Sequence, residues 1–187
     1  MKGKLLYALL FISFNIFSQN EKNEAEILYS KGITIYDTVF GEDFYGLTSG
    51  KNSIEVEAKI EEIRKLILNN SLEYFNQITN EFPESKFYVL ALFEKGNIEN
   101  VLKKRTESKA NFEKLVNLKT KDWSYYRNKS LLILAEFEIE DKNYSKAKKY
   151  IDERKQNGLN FLCGNESELT ENQLRNLSEK CEIGLKK

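Results

Sequence analysis

The chain contains no histidine. That absence removes Ser-His-Asp and Cys-His nucleophile pairs, histidine general bases and histidine metal ligands together. The two cysteines, Cys163 and Cys181, cannot make a four-ligand zinc site unless carboxylates complete it. Catalysis would then fall to carboxylates or lysines. Glu136, Glu138 and Glu140 lie two residues apart on an expected helix, where successive members do not face one way. A glycan-cleaving pair needs two carboxyl groups facing across a cleft, about 5–10 Å apart. The residues therefore assign no catalytic side chain, metal ligand or cofactor. Lys103-Lys104-Arg105 and the lysines between Lys146 and Lys149 have acidic neighbours and read as solvated surface.

Composition narrows the class further. Basic and acidic side chains number 29 each, so no net field draws nucleic acid or a membrane surface. A length of 187 residues suits one domain with a sizeable core. A single proline favours a helical chain, since turns and irregular loops use more. Met1-Lys2-Gly3-Lys4 is basic, Leu5 to Phe17 is apolar except at Ser13 and Asn15, and Ser18 is a small residue before Gln19. Residues 1–18 thus have the pattern of an export signal, too short in its apolar run to span a bilayer. An uncleaved interfacial anchor is the other reading. The expectation is an exported protein, periplasmic or secreted, without a transmembrane span once the signal is removed. In such a compartment a lone cysteine pair is most simply a disulfide. Joining Cys163 to Cys181 would contribute roughly 3 kcal/mol by loop closure.

The elements follow from apolar spacing and caps. Glu24 to Asp37 reads as a helix. Phe40 to Gly50, with three glycines, reads as a loop. A long helical pattern from Ser53 to Phe82 places Ile60, Ile63, Ile67, Phe75 and Ile78 inward, with Asn69-Asn70 as a candidate break and Pro83 as the stop. Ser85 caps a helix to Lys103, Thr106 one to Leu118, and Asp122 or Ser124 one to Asp141. Asn143 caps the next, which Asn157-Gly158 stops. Thr170-x-x-Gln173 is a capping box for a last helix to about Ile183, with Leu174, Leu177 and Ile183 on one side. No segment alternates with period two, so an all-α fold is expected.

A pattern recurs within these helices. Leu28-Tyr29-Ser30-Lys31-Gly32 returns as Leu92-Phe93-Glu94-Lys95-Gly96. In one frame, Gly32, Gly96 and Ala135 share a position in a first helix, and Ser71, Ser108 and Ala147 share one in a second. Phe75, Phe112 and Ile151 follow four residues later. Small residues at both positions let two helices cross closely, with the next large residue filling the groove. This resembles the tetratricopeptide repeat, a helical hairpin of about 34 residues. The likeness covers residues 24 to 157 and includes Pro83 at a hairpin end. It implies a right-handed stack of about three hairpins over residues 19–158, with residues 159–187 forming a loop and a C-terminal capping helix. Three departures stand out. Lys119 to Ser124 lengthens one connection, Arg154 replaces a small or apolar residue, and 39 residues separate Gly32 from Ser71 where 12 separate Gly96 from Ser108. The extra 27 residues form an insertion at about 40–70 that carries Phe40, Phe44 and Tyr45. The composition also resembles that of exported proteins of AT-rich Bacteroidota.

The resemblance implies a non-catalytic scaffold that holds a protein or peptide on the concave face of its first helices. Carried over by position, that face takes Tyr29, Ile33 and Tyr36 from the first hairpin. Phe93, Asn97 and Asn100 come from the second, and Lys129, Leu132, Glu136 and Ile139 from the third. Asparagines there can bind a peptide backbone, and aromatics can anchor it. Phe44 and Tyr45 offer a second partner patch or pack locally on the helices. An immunity or inhibitor protein that neutralises a toxin is the alternative, and a carboxylate-based glycan-active enzyme a further one.

Overall fold

A computed structural model describes residues 23–41, 44, 54–118, 124–158 and 164–186. Among the described residues every regular element is a helix, seven in all, and no strand occurs. They are α1 (23–38), α2 (Ile54–Glu81), α3 (Phe87–Val101), α4 (Arg105–Asn117), α5 (Ser124–Glu140), α6 (Tyr144–Gln156) and α7 (Gly164–Leu185). No described helix is long and apolar enough to cross a membrane. The chain divides into two compact units, Met1–Ile98 and Glu99–Lys187.

In the first unit α1 buries Ala25, Leu28 and Gly32, spaced by three and four along one stripe. The C-terminal half of α2 answers with Leu68, Ser71, Leu72, Phe75 and Ile78. The two helices approach closely where both residues are small. Ser71 Oγ donates to the Gly32 carbonyl oxygen at 2.8 Å, and a Cβ added at Gly32 would sit 3.0 Å from the Phe75 ring. The expected pairing of these two positions therefore holds in the first hairpin. Asn69-Asn70 does not break α2, because Asn69 Nδ2 donates to the Lys65 carbonyl oxygen at 2.7 Å and stays within the helical frame. Ile63 is not inward but 49% exposed. The stop at Pro83 stands, and Ser85 Oγ accepts from the Phe87 amide at 3.2 Å as the cap of α3.

In the second unit α5 is the central helix, with α4, α6 and α7 all packed against it. Phe112 and Phe137 meet at 6.4 Å between ring centroids. Leu132, Ala135, Ala147, Ile151, Leu177 and Cys181 make one core, flanked by Ile139, Tyr144, Tyr150 and Leu174. Two turns in this unit share one geometry. Lys103 and Lys142 are the only non-glycine residues with positive φ among those described, at 61° and 60°. After each, the next amide reaches back to a glutamate carbonyl, Lys104 to Glu99 at 2.8 Å and Asn143 to Glu138 at 2.7 Å. That is the left-handed helix stop with its six-residue hydrogen bond, repeated in the register of Gly96 and Ala135.

Several boundaries differ from the sequence reading. Lys104 stands at the N-cap of α4 without a side-chain capping bond to the helix, so Thr106 lies inside the first turn. Asn143 is at the N-cap of α6, but its side chain turns away to Glu138. Gly158, at φ 72°, stops α6 as expected. α7 begins at Gly164, so Thr170 and Gln173 lie within the helix rather than at its start. Its inward seam is Leu174, Leu177, Cys181 and Gly184, and Ile183 is 58% exposed. Among the described residues no disulfide occurs: Cys181 is a buried free thiol that donates to the Tyr144 carbonyl oxygen at 3.2 Å, and Cys163, its expected partner, lies outside them. Burial pushes the Cys181 thiol up, which disfavours the reactive thiolate.

Gly184 fixes how α7 docks. A Cβ there would fall 2.2–2.4 Å from the Tyr144 ring. Gly184→Leu is expected to lift the C-terminal turns of α7 off α6 at a cost of about 1–3 kcal/mol. Hydrogen exchange should show faster amides from Leu177 onward while α4 stays protected. Unchanged protection in α7 would refute this docking.

Candidate functional site

Tyr29, Ile33 and Tyr36 lie at helical spacing on α1, and all three are half-buried. Tyr29 packs its ring against Phe75 at 5.8 Å and Phe87 at 5.3 Å, so α3 begins beside α1. Tyr36 faces the acidic end of the same pair of helices. Its phenol is pushed up to about 12, by burial first and then by the negative charges of Glu94 and Asp37. Asn97 Nδ2 donates to Glu94 Oε2 at 3.3 Å. Ile33, Tyr36, Glu94 and Asn97 thus form a partly exposed patch on neighbouring helices of the first unit. Phe93 belongs instead to the core, at 8% exposed.

The other expected residues scatter. Phe44 is buried, at 7% exposed, with the Arg64 guanidinium 5.4 Å from its ring centroid, so it packs on α2 rather than offering a free surface. Phe40 is 60% exposed and meets Tyr36 at 5.0 Å. Tyr45 lies outside the described residues. In the second unit Asn100 and Glu136 are exposed, and the Lys129 ammonium sits 4.7 Å from the Tyr125 ring centroid. Leu132 and Ile139 pack in the core.

Sequence reasoning weighed Glu138 only as a catalytic acid and missed its burial. The side chain is fully buried, and three elements converge on it. Lys109 from α4 and Lys146 from α6 place ammonium groups 2.7 and 2.9 Å from Oε1. Asn143 Nδ2 donates to Oε2 at 3.0 Å. Lys146 also pairs with Glu113 at 2.9 Å, and Arg105 binds Glu140, Asp141 and the Phe137 carbonyl oxygen. Glu99, 5% exposed, holds the equivalent place after Gly96 that Glu138 holds after Ala135, and accepts from Asn111 Nδ2 at 2.6 Å. A signal was present: Glu99 and Glu138 each follow a repeat small residue by three positions and precede a left-handed lysine by four.

Burial alone would raise the Glu138 carboxyl, but hydrogen bonds from Lys109, Lys146 and Asn143 outweigh it and hold it at about 2, against an ordinary 4.5. A carboxylate held so low stays ionised near neutrality and makes a poor general acid there. Its folded value lies below its unfolded one. The stability it contributes is present above pH 4.5 and is lost as pH falls toward about 2. The urea midpoint of wild type is expected to drop toward that of Glu138→Gln across this window, with the two differing most above it. A gap between them that does not change with pH would contradict the assignment. Among the described residues no group of three or more Cys, Asp or Glu side chains is arranged to hold a metal ion.

Searches of protein-family models, curated proteins and solved structures find no match to the chain.

Proposed function

We propose that the chain is a non-catalytic exported scaffold built of tetratricopeptide-like hairpins stacked in a right-handed array, and that it holds a protein or peptide partner on its first-helix face. The observation that carries this reading is the patch of Ile33, Tyr36, Glu94 and Asn97. It joins an aliphatic side chain, an amphipathic ring, a carboxylate and an amide on two adjacent first helices. Such a surface suits an extended backbone with an apolar anchor. Two further observations support it. Gly32 and Ser71 cross as the hairpin pattern requires, and the two left-handed lysine turns recur in the repeat register. The export-signal pattern of residues 1–18 supports a partner in the periplasm or outside the cell.

Crosslinking mass spectrometry in intact cells tests the reading. One reproducible partner should appear, with its crosslinks concentrated on Lys31 and Lys95, the lysines that flank the patch. Links spread evenly over the lysines of the chain, with no recurrent partner, would count against it.

A further inference from the structure

Arg154 is where the third hairpin departs from its repeat, with a cation in place of a small or apolar residue. It lies on α6 and is 2% exposed. Its guanidinium donates from Nη1 to the Gly158 carbonyl oxygen at 2.7 Å, while Nε is shielded from solvent and has no acceptor. A carbonyl carries no net charge, so this contact does not neutralise the cation. Burial is the one influence that shifts Arg154, and it lowers the pKa with no carboxylate opposing.

Asn128, on α5, is 3% exposed and belongs to the same crossing. Its Oδ1 accepts from Asn157 Nδ2 at 2.9 Å, and Asn157 adjoins the glycine that holds Arg154. The Asn128 Nδ2 is solvent-shielded and without an acceptor. Arg127, the preceding residue, gives Nη2 to Glu153 at 2.6 Å and keeps a third shielded N–H, Nε, without an acceptor. Glu153 directly precedes Arg154, so all three donors stand on neighbouring residues of α5 and α6.

Buried polar groups are nearly always paired, and a buried cation without an anion is among the most costly arrangements a core can hold. Three unmatched donors, one of them on an uncompensated guanidinium, are complemented by a negatively charged acceptor with two or more oxygens. We propose that Arg154, Asn128 and Arg127 form a binding site for a small oxyanion, a phosphate or carboxylate group, at the α5–α6 crossing. Guanidinium recognises both groups through charge-assisted, often bidentate bonds. The site is separate from the partner patch and does not depend on that reading.

Thermal unfolding of the full chain in chloride, inorganic phosphate or acetate, at one ionic strength, tests this. A calorimetric titration with the same salts accompanies it. Phosphate or acetate is expected to raise the Tm saturably, by about 5 °C at a hundredfold excess over Kd. Which of the two acts separates a tetrahedral ligand from a planar one. Arg154→Met should lose that rise while melting no lower than wild type in chloride, because an apolar side chain relieves the buried charge. Arg154→Lys keeps a charge without the planar fork and should weaken the titration about tenfold or more. Equal Tm in all three anions, or an undiminished rise in Arg154→Met, would overturn the site. Should Arg154→Met fail to fold, wild type and Arg154→Lys decide through the titration: a saturable signal weakened in the lysine variant supports the site, and none in wild type, or equal affinity in both, overturns it.

Discussion

Replacing Lys109 and Lys146 together with methionine is expected to destabilise the second unit by about 3–5 kcal/mol at neutral pH. The reason is an asymmetry in burial. The lysine side chains are 24% and 46% exposed and can turn to water, whereas Glu138 is 0% exposed and cannot. Removing Glu138 would leave two cations with access to solvent. Removing the cations leaves a carboxylate with Asn143 as its remaining side-chain partner, and burial then drives it toward protonation. The urea midpoint should fall by roughly 2 M at the slope usual for a small unit. Adding Glu138→Leu to the double variant should restore most of the loss, since an apolar replacement of a whole buried ion cluster is often neutral. A double variant within about 1 kcal/mol of wild type would show that the cluster is solvated rather than buried.

The second large effect concerns the first hairpin. Phe75→Ala should cost about 3–5 kcal/mol in the first unit, as for a fully buried aromatic whose site cannot collapse. Phe75 is 0% exposed and rests against the backbone of Gly32 and the ring of Tyr29. Gly32→Leu alone should also destabilise, by about 1–3 kcal/mol, because its side chain would enter the space of the Phe75 ring. Combined, the two should cost less than their sum, since the leucine fills part of the cavity that the phenylalanine leaves. Additive costs in a double-mutant cycle would mean that the two side chains do not share one space.

Helix existence and the hairpin crossing were legible in the sequence because they rest on local spacing. Gly32, Ser71 and Phe75 mark a close approach wherever two amphipathic helices pair, and the structure joins them by a hydrogen bond. Features decided by tertiary partners were not legible. Ile63 and Ile183 fit an inward stripe, yet each is about half exposed, because periodicity says which residues share a face and not how far a neighbour covers it. Asn143 occupies the cap position, but Glu138 competes for its side chain and takes it. Thr170 and Gln173 matched a capping box, yet α7 starts six residues earlier at Gly164. Glu136, Glu138 and Glu140 fail as a catalytic pair because residues two apart on a helix face differently. That reasoning correctly separated Glu138 from Glu136 and Glu140, but it left open which of the three pointed inward. Of the expected partner residues, Ile33 and Tyr36 on α1 and Asn97 on α3 are partly exposed in the first unit, whereas Phe93 turns into the core. Phe44 is buried, with the Arg64 guanidinium of α2 beside its ring.

The central claim is that the α1–α3 patch holds the partner. Affinity of the captured partner for surface variants tests it most directly. Ile33→Arg and Asn97→Arg place a bulky cation at partly exposed positions without touching the buried core. Each is expected to weaken binding at least tenfold, about 1.4 kcal/mol. Leu169→Arg, at a position on α7 that is 71% exposed, should bind as wild type does. Unchanged affinity in both patch variants, or an equal loss in Leu169→Arg, would contradict the account.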